Sequence, residues 1–393
     1  MKAYILFGVL LLVSCAKIEP AVPADDQLLD GPVEGLSGEE HARFLRGDVA
    51  FNDRIFHAGN GLGPLFVATS CGSCHAGDGR GHPFTSLTRF GQYDATGNYW
   101  LEEGGPQLQH RAIPGHQPEV LPTGAPSTFL LPPPNTGLGL IEAVSDADIL
   151  AWADPNDLDG DGISGAANWM ILEEYSVERP GAVESGGRYV GRFGRKGGVY
   201  DLVQQTANAY AQDIGVNSEL EPIDTYSHVA VDPEVSLATI NDVVFYLRTL
   251  KSPIQRDQGD ADVIAGGALF IQIGCARCHR PEMTTGESPI AALAHRTIRP
   301  YSDLLLHDMG PGLDDGYTEG GAYTSEWRTP PLWGLGLSPN SQGGGYFLLH
   351  DGRARSIEQA IDLHGGEGEA SRSAFNALTG AERDRVIRFL ESL

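Results

Sequence analysis

The sequence predicts a mainly α-helical protein folded as two similar units, with long loops and an insert enlarging the first. Three observations predict it. The pattern C-x-x-C-H occurs twice, as Cys71-Gly-Ser-Cys74-His75 and Cys275-Ala-Arg-Cys278-His279. A helix-patterned segment precedes each motif. Downstream of each lies a Pro-led stretch ending Gly-Leu-Gly-Leu, at 132–140 and 330–337.

The N-terminus comes first. Residues 1–14 read as an export signal, with Lys2 as the basic start and Tyr4 to Val13 as an apolar run too short to span a bilayer. Leu12-Val13-Ser14-Cys15 resembles the bacterial lipobox, which implies cleavage before Cys15 and lipidation of it. Residues 15–37 are Pro- and Asp-rich without an apolar period, and read as a lipidated tether. Ala16 stands where an Asp would signal inner-membrane retention. The resemblance therefore implies an exported protein, lipid-anchored in the periplasm at the outer membrane, touching the membrane only through that lipid.

The first unit is read as 38–254 and the second as 255–393. Ser37-Gly-Glu-Glu40 is a capping box. After it, Phe44, Leu45, Val49, Phe51 and Ile55 recur at near-helical spacing up to the first motif. Val263, Ile264, Leu269 and Phe270 do the same before the second. Thr379-Gly-Ala-Glu382 is another capping box, and Val386, Phe389, Leu390 and Leu393 stripe the terminal helix. The insert lies around 145–235.

Composition bounds the partners. Asp and Glu outnumber Lys and Arg 52 to 27, a net charge of −25. That excludes a nucleic-acid binder, which needs a basic footprint. An acidic surface instead suits solubility and steering toward basic partners. With 51 Gly and 25 Pro the chain is rich in loops, yet 41% hydrophobic content supports a core.

Two thiols and an imidazole at this spacing have one well-defined use. The thiols add to the two vinyl groups of a haem, and the next residue's imidazole ligates the iron from below. Chance predicts roughly 0.002 such motifs in this composition. The expectation is two covalently bound haem c groups, on Cys71, Cys74 and His75 and on Cys275, Cys278 and His279. A helix leading into such a motif, closed by a terminal amphipathic helix, resembles a cytochrome c unit, so the units are expected to be cytochrome c-like haem domains. Laying 107–115 over 304–312 puts His110 opposite His307 and Ala112 opposite Met309. One site then offers iron a thioether and the other nothing.

At this point the chain resembles the di-haem oxidoreductase family, also labelled thiol oxidoreductases, relatives of bacterial di-haem cytochrome c peroxidases. The carriers are CGSCH, GLGLIEAV (137–144), DLDGDGISG (157–165), GRFGRKG (191–197), CARCH, YSDLLLHDMG (301–310), EWRTPPLWGLG (326–336), LHDGRARSIEQAI (349–361) and HGGEGEASR (364–372). Arg195 departs from the family, where that position is associated with Trp. The resemblance implies an oxidoreductase acting on a small oxidant such as hydrogen peroxide.

His/Met ligation closes both iron faces and raises the potential. His279 and Met309 are therefore expected to hold an electron-transfer haem, with His307 the rival to Met309. His75 is expected to hold a haem whose other face is open, and electrons pass from the second centre to the first. Cleaving an O–O bond needs a distal acid/base. Glu142 is the leading candidate, followed by Gln107, Gln109 and His110. Arg328, Arg353 and Arg355 are candidates for pairing haem propionates. The rival functions are a pure electron-transfer cytochrome, an enzyme oxidising another protein, and a haem- or iron-binding component of metal uptake.

Asp157-Leu-Asp159-Gly-Asp161-Gly162 matches the first half of a calcium loop. Ile163 would give its carbonyl, and Asn168 stands where a bidentate Glu is usual. The expectation is a structural Ca²⁺ bracing the connection between the units.

Overall fold

The computed structural model describes residues 23–94, 97–224 and 227–393. The signal segment, Cys15 and the first part of the tether lie outside the described residues. Helix accounts for 34% and strand for 14%. The strands are short, forming two-stranded ribbons and one three-stranded sheet among the described residues. This is more strand than the sequence pattern predicts, because loop segments pair over two to four residues without any alternating apolar run to announce them.

Helix α1 (Gly38–Asp48) starts on the expected box, with the Ser37 side chain accepting from the Glu40 amide and the Glu40 carboxylate accepting from that of Ser37. It widens into a π-turn at 49–53, so the regular helix ends earlier than the apolar spacing suggests. Helices α2 (Leu138–Glu142), α3 (Leu202–Asn208) and α4 (Leu237–Thr249) follow. In the second half come α5 (Ala261–Gln272), α6 (Ile357–Asp362), α7 (Glu369–Asn376) and α8 (Gly380–Ser392), the last on the Thr379–Glu382 box.

The two halves close in the same way. Helix α1 packs on α4, and α5 on α8. Glycine makes each crossing possible. A Cβ at Gly47 would strike the Asp242 carbonyl and Tyr246, and one at Gly266 the Arg385 carbonyl and Phe389. The Gly-Leu-Gly-Leu echo is structural too. Gly137 (φ 71°) precedes α2, and Gly334 (φ 72°) opens the turn at Leu335–Leu337. Two residues on, Gly139 abuts the Arg248 carbonyl at the end of α4, and Gly336 the Glu391 carbonyl at the end of α8.

The alignment of 107–115 on 304–312 does not carry over. Strand Arg111–Ala112 pairs upstream with Leu65–Phe66, whereas Leu306–Asp308 pairs downstream with Glu326–Arg328. His110 is exposed while His307 is buried.

Two cores result, but they do not divide at 254/255. Met283, Ile290, Leu293, Ile298, Leu305 and Trp333 pack into the first core with Phe44, Phe51 and Tyr246. The second gathers Phe270, Tyr301, Phe375, Val386, Phe389 and Leu390. The insert is pinned by buried Asp146, which pairs with Arg179 at 2.7 Å and also with Arg192.

Candidate haem sites

Each motif opens onto its own cleft. The first, about 1300 Å³, is lined by Cys71, Cys74 and His75, by Phe51, Leu87, Pro132, Pro133 and Trp333, and by Gln205, Thr206, Tyr210 and Asp213. The second, about 1430 Å³, is lined by Cys275, Cys278 and His279, by Phe270, Leu313 and Trp327, and by Met309, His350, His364 and Glu367.

The motif residues suit their expected chemistry. All four cysteines are free thiols. Burial pushes Cys71 and Cys275 up to about 12 and Cys74 to about 11, so they stay protonated at neutral pH. Burial also lowers His75 and His279 to about 4, leaving neutral imidazoles able to ligate a metal. His279 fixes Nδ1 on the Tyr301 carbonyl at 3.0 Å. That directs Nε2 away from the backbone, as metal-bound histidines require.

Between the clefts stands a cationic wall. Arg80, Arg195 and Arg328 line both. Arg195 spends Nε and one terminal nitrogen on the Leu131 carbonyl, and Arg328 donates to the Gly194 and Thr329 carbonyls. The Nε of Arg80 is buried with no partner. Burial, then the charges of Arg80 and Arg328, hold Arg195 well below its ordinary value. Three guanidiniums packed together without a carboxylate bonded to them are costly unless an anion completes the group. Haem propionates are such anions, and bidentate pairing is what guanidinium geometry favours. The residues present thus fit a haem in each cleft, with Arg80, Arg195 and Arg328 the groups that would pair its propionates. Arg353 pairs with Asp351 and Arg355 lies on Phe347, so neither lines a cleft.

Several expected residues stand elsewhere. Glu142 does not line the first cleft. Its carboxylate pairs with Arg248 and accepts from the Leu202 amide at 2.9 Å. Gln107 is buried with neither amide atom bonded, and is outside both clefts. Gln109 donates to the Ala211 and Gln212 carbonyls. The acid that does line the first cleft is Asp213, which burial pushes up to about 7. It lies 142 positions beyond Cys71, and no local pattern marks it.

His307 is excluded as a ligand. Nε2 meets Asp303 at 2.9 Å and Nδ1 meets Glu367 at 2.6 Å, so both nitrogens are spent. Among the described residues lining the first cleft, His75 is the sole imidazole and no methionine is present. The second cleft offers Met309, His350 and His364 besides His279. His350 stacks on Trp327, ring centroids 3.6 Å apart and planes at 5°.

The acidic loop is partly reassigned. Asp154, Asp157 and Asp159 bring carboxylate oxygens within 4.8 Å of one another. Asp161 instead accepts from the Ile163 amide and pairs with Arg277 at 3.4 Å. Asn168 is buried in a strand, its amide bonded to Lys196, Glu319 and Gly321, and it cannot serve as the twelfth ligand.

Two motif-bearing clefts sharing a cationic wall define a two-centre haem redox protein. The chain belongs to the di-haem oxidoreductase family: the family model described as "Di-haem oxidoreductase, putative peroxidase" matches residues 130–393. It is an oxidoreductase of peroxidase-like type. Solved structures similar to it include hydrazine synthase from Kuenenia stuttgartiensis under 20 bar xenon, at 15% identity and TM-score 0.40, covering 96% of this chain and 94% of that one. A MauG-like protein associated with microbial copper homeostasis is similar at 16% identity and TM-score 0.39, with 95% and 94% covered. No curated protein matches. No helix of the described residues is long and apolar enough to cross a membrane.

Proposed function

We propose that this chain is an exported, lipid-anchored di-haem c oxidoreductase that reduces a small oxidant such as hydrogen peroxide. One observation carries the reading: the two clefts differ in which side chains line them alongside the motif histidine. The first presents Gln205, Thr206, Tyr210 and Asp213, none of which is an imidazole or a thioether. The second presents three candidates besides His279, namely Met309, His350 and His364.

When bound, the haems would supply the redox chemistry, reduction of the small oxidant at the first cleft with electrons received through the second. The chain's residues do the rest. Cys71, Cys74, Cys275 and Cys278 tether, and His75 and His279 ligate. Arg80, Arg195 and Arg328 would neutralise the haem propionates. Asp213 takes the acid/base role in place of Glu142. With its carboxyl held near neutrality it keeps a proton to deliver into the cleft at pH 7 and below. The Tyr210 hydroxyl, buried without a partner, lies in the same lining. The net charge of −25 favours a small basic protein as electron donor. A cation held by Asp154, Asp157 and Asp159 would brace the insert against the second motif, which Asp161 already reaches through Arg277.

The test is turnover. Full-length holoprotein, reduced by a small basic cytochrome, should consume one equivalent of peroxide per pair of electrons and two protons, forming two equivalents of water. Cyanide should perturb the spectrum of one haem only. Equal inertness of both haems toward peroxide and cyanide favours a pure electron-transfer cytochrome.

A further inference from the structure

His364 and His279 share one architecture. Each lines the second cleft and each ties Nδ1 to a main-chain carbonyl, His279 to Tyr301 at 3.0 Å and His364 to Ala360 at 2.7 Å. In both rings no hydrogen bond of the described residues occupies Nε2.

We infer that the sixth ligand of the C-terminal haem is His364 Nε2, not the Met309 thioether. This rests on the reading that Cys275, Cys278 and His279 hold a haem. Three further observations favour it. The tether on Ala360 is the outer hydrogen bond that orients a ligating imidazole and fixes its tautomer. His364 sits just beyond α6, in the stretch that leads through α7 to the closing helix α8. Its loop is also firmly seated. Gly366 (φ 51°) packs on the Asp308 carbonyl, and Gly365 packs on that of Met309.

Met309 has another task. A Cβ at Gly368 would lie 3.2 Å from Met309 Cε and 3.1 Å from His364 Cβ, so the thioether chain flanks His364. It also packs with Leu313 and Trp327. Met309 is a positioning residue for the loop that presents the ligand. Bis-imidazole ligation gives a lower potential than His/Met ligation, since a thioether raises it.

The experiment uses the full-length holoprotein with haem content fixed by pyridine haemochrome. Low-temperature paramagnetic resonance and far-red absorption of the oxidised protein then report the ligands. The wild type is expected to lack the far-red sulfur-to-iron band. Met309→Leu should keep the low-spin signal unchanged. His364→Ala should turn that signal high-spin, and added imidazole should restore it. His364→Met, which preserves a ligand and so favours folding, should create the far-red band and raise the potential of that haem. A far-red band in the wild type that vanishes in Met309→Leu, or a low-spin signal surviving in His364→Ala, overturns the assignment. A haemochrome count below two haems per chain would instead sink the di-haem reading on which it rests.

Discussion

The imidazole of His307 meets the carboxylate of Glu367 at 2.6 Å, and its other nitrogen meets Asp303 at 2.9 Å. Burial alone would lower its pKa. Hydrogen bonds to Asp303, Cys278 and Glu367 outweigh burial and push it up to about 12. The same contact with His307 overcomes burial and holds Glu367 below its ordinary 4.5.

A stability profile follows. The histidine contributes fully below its unfolded value of 6.5. Its contribution falls as pH rises from there toward about 12, because the unfolded chain loses the proton first. The Glu367 contribution is present above 4.5 and is lost as pH falls through its depressed folded value. Thermal melts of His307→Asn should show about 3–5 kcal/mol lost near pH 6. They should also show a flatter decline between neutral and alkaline pH than the wild type. An unchanged slope there contradicts the charged-histidine account.

The helix crossings give a second prediction. At Gly47 and Gly266 a methyl group has backbone where it would sit, and backbone cannot rotate aside. Gly47→Ala and Gly266→Ala should each cost about 1–3 kcal/mol, a typical overpacking penalty. Gly38→Ala, with open space around it, should change little. Urea melts of the three variants compare them directly.

Asp213 gives a third. Asp213→Asn keeps the shape and removes the proton. It should lower peroxide turnover by roughly 10²–10⁴-fold, the range of a lost general acid. The resting spectra of both haems should not change. Since burial pushes Asp213 up to about 7, wild-type turnover should fall as pH rises through that value. A pH profile identical in the variant would remove Asp213 from the reaction.

The cationic wall gives a fourth. Arg195→Leu removes one buried positive charge between the clefts. Both haem potentials should drop, each by the ~1–2 kcal/mol that a unit charge carries at ~10 Å in a medium of dielectric near 20. Redox titration reads this. A shift at one centre only would place Arg195 against a single propionate group.

What the sequence discloses is local. Two motifs, two capping boxes and the Gly-Leu-Gly-Leu echo are contiguous strings, and each has a direct structural counterpart. What it hides is non-local. Glu142 reads as a free carboxylate until Arg248, 106 positions away, closes on it. Asp213 reaches the first cleft from a segment with no motif of its own. Met309 lies in a recognisable string and is the residue a pattern-reader reaches for. His364 also lies in one, but only its bond to Ala360, inside a folded turn, reveals a ring oriented toward the cleft.

The central claim is unequal coordination, and low-temperature paramagnetic resonance of the oxidised full-length protein tests it most directly. It should show one high-spin, five-coordinate haem at His75 beside one low-spin, six-coordinate haem at His279, in equal amounts. Two low-spin haems of equal intensity, unmoved by peroxide, would contradict it.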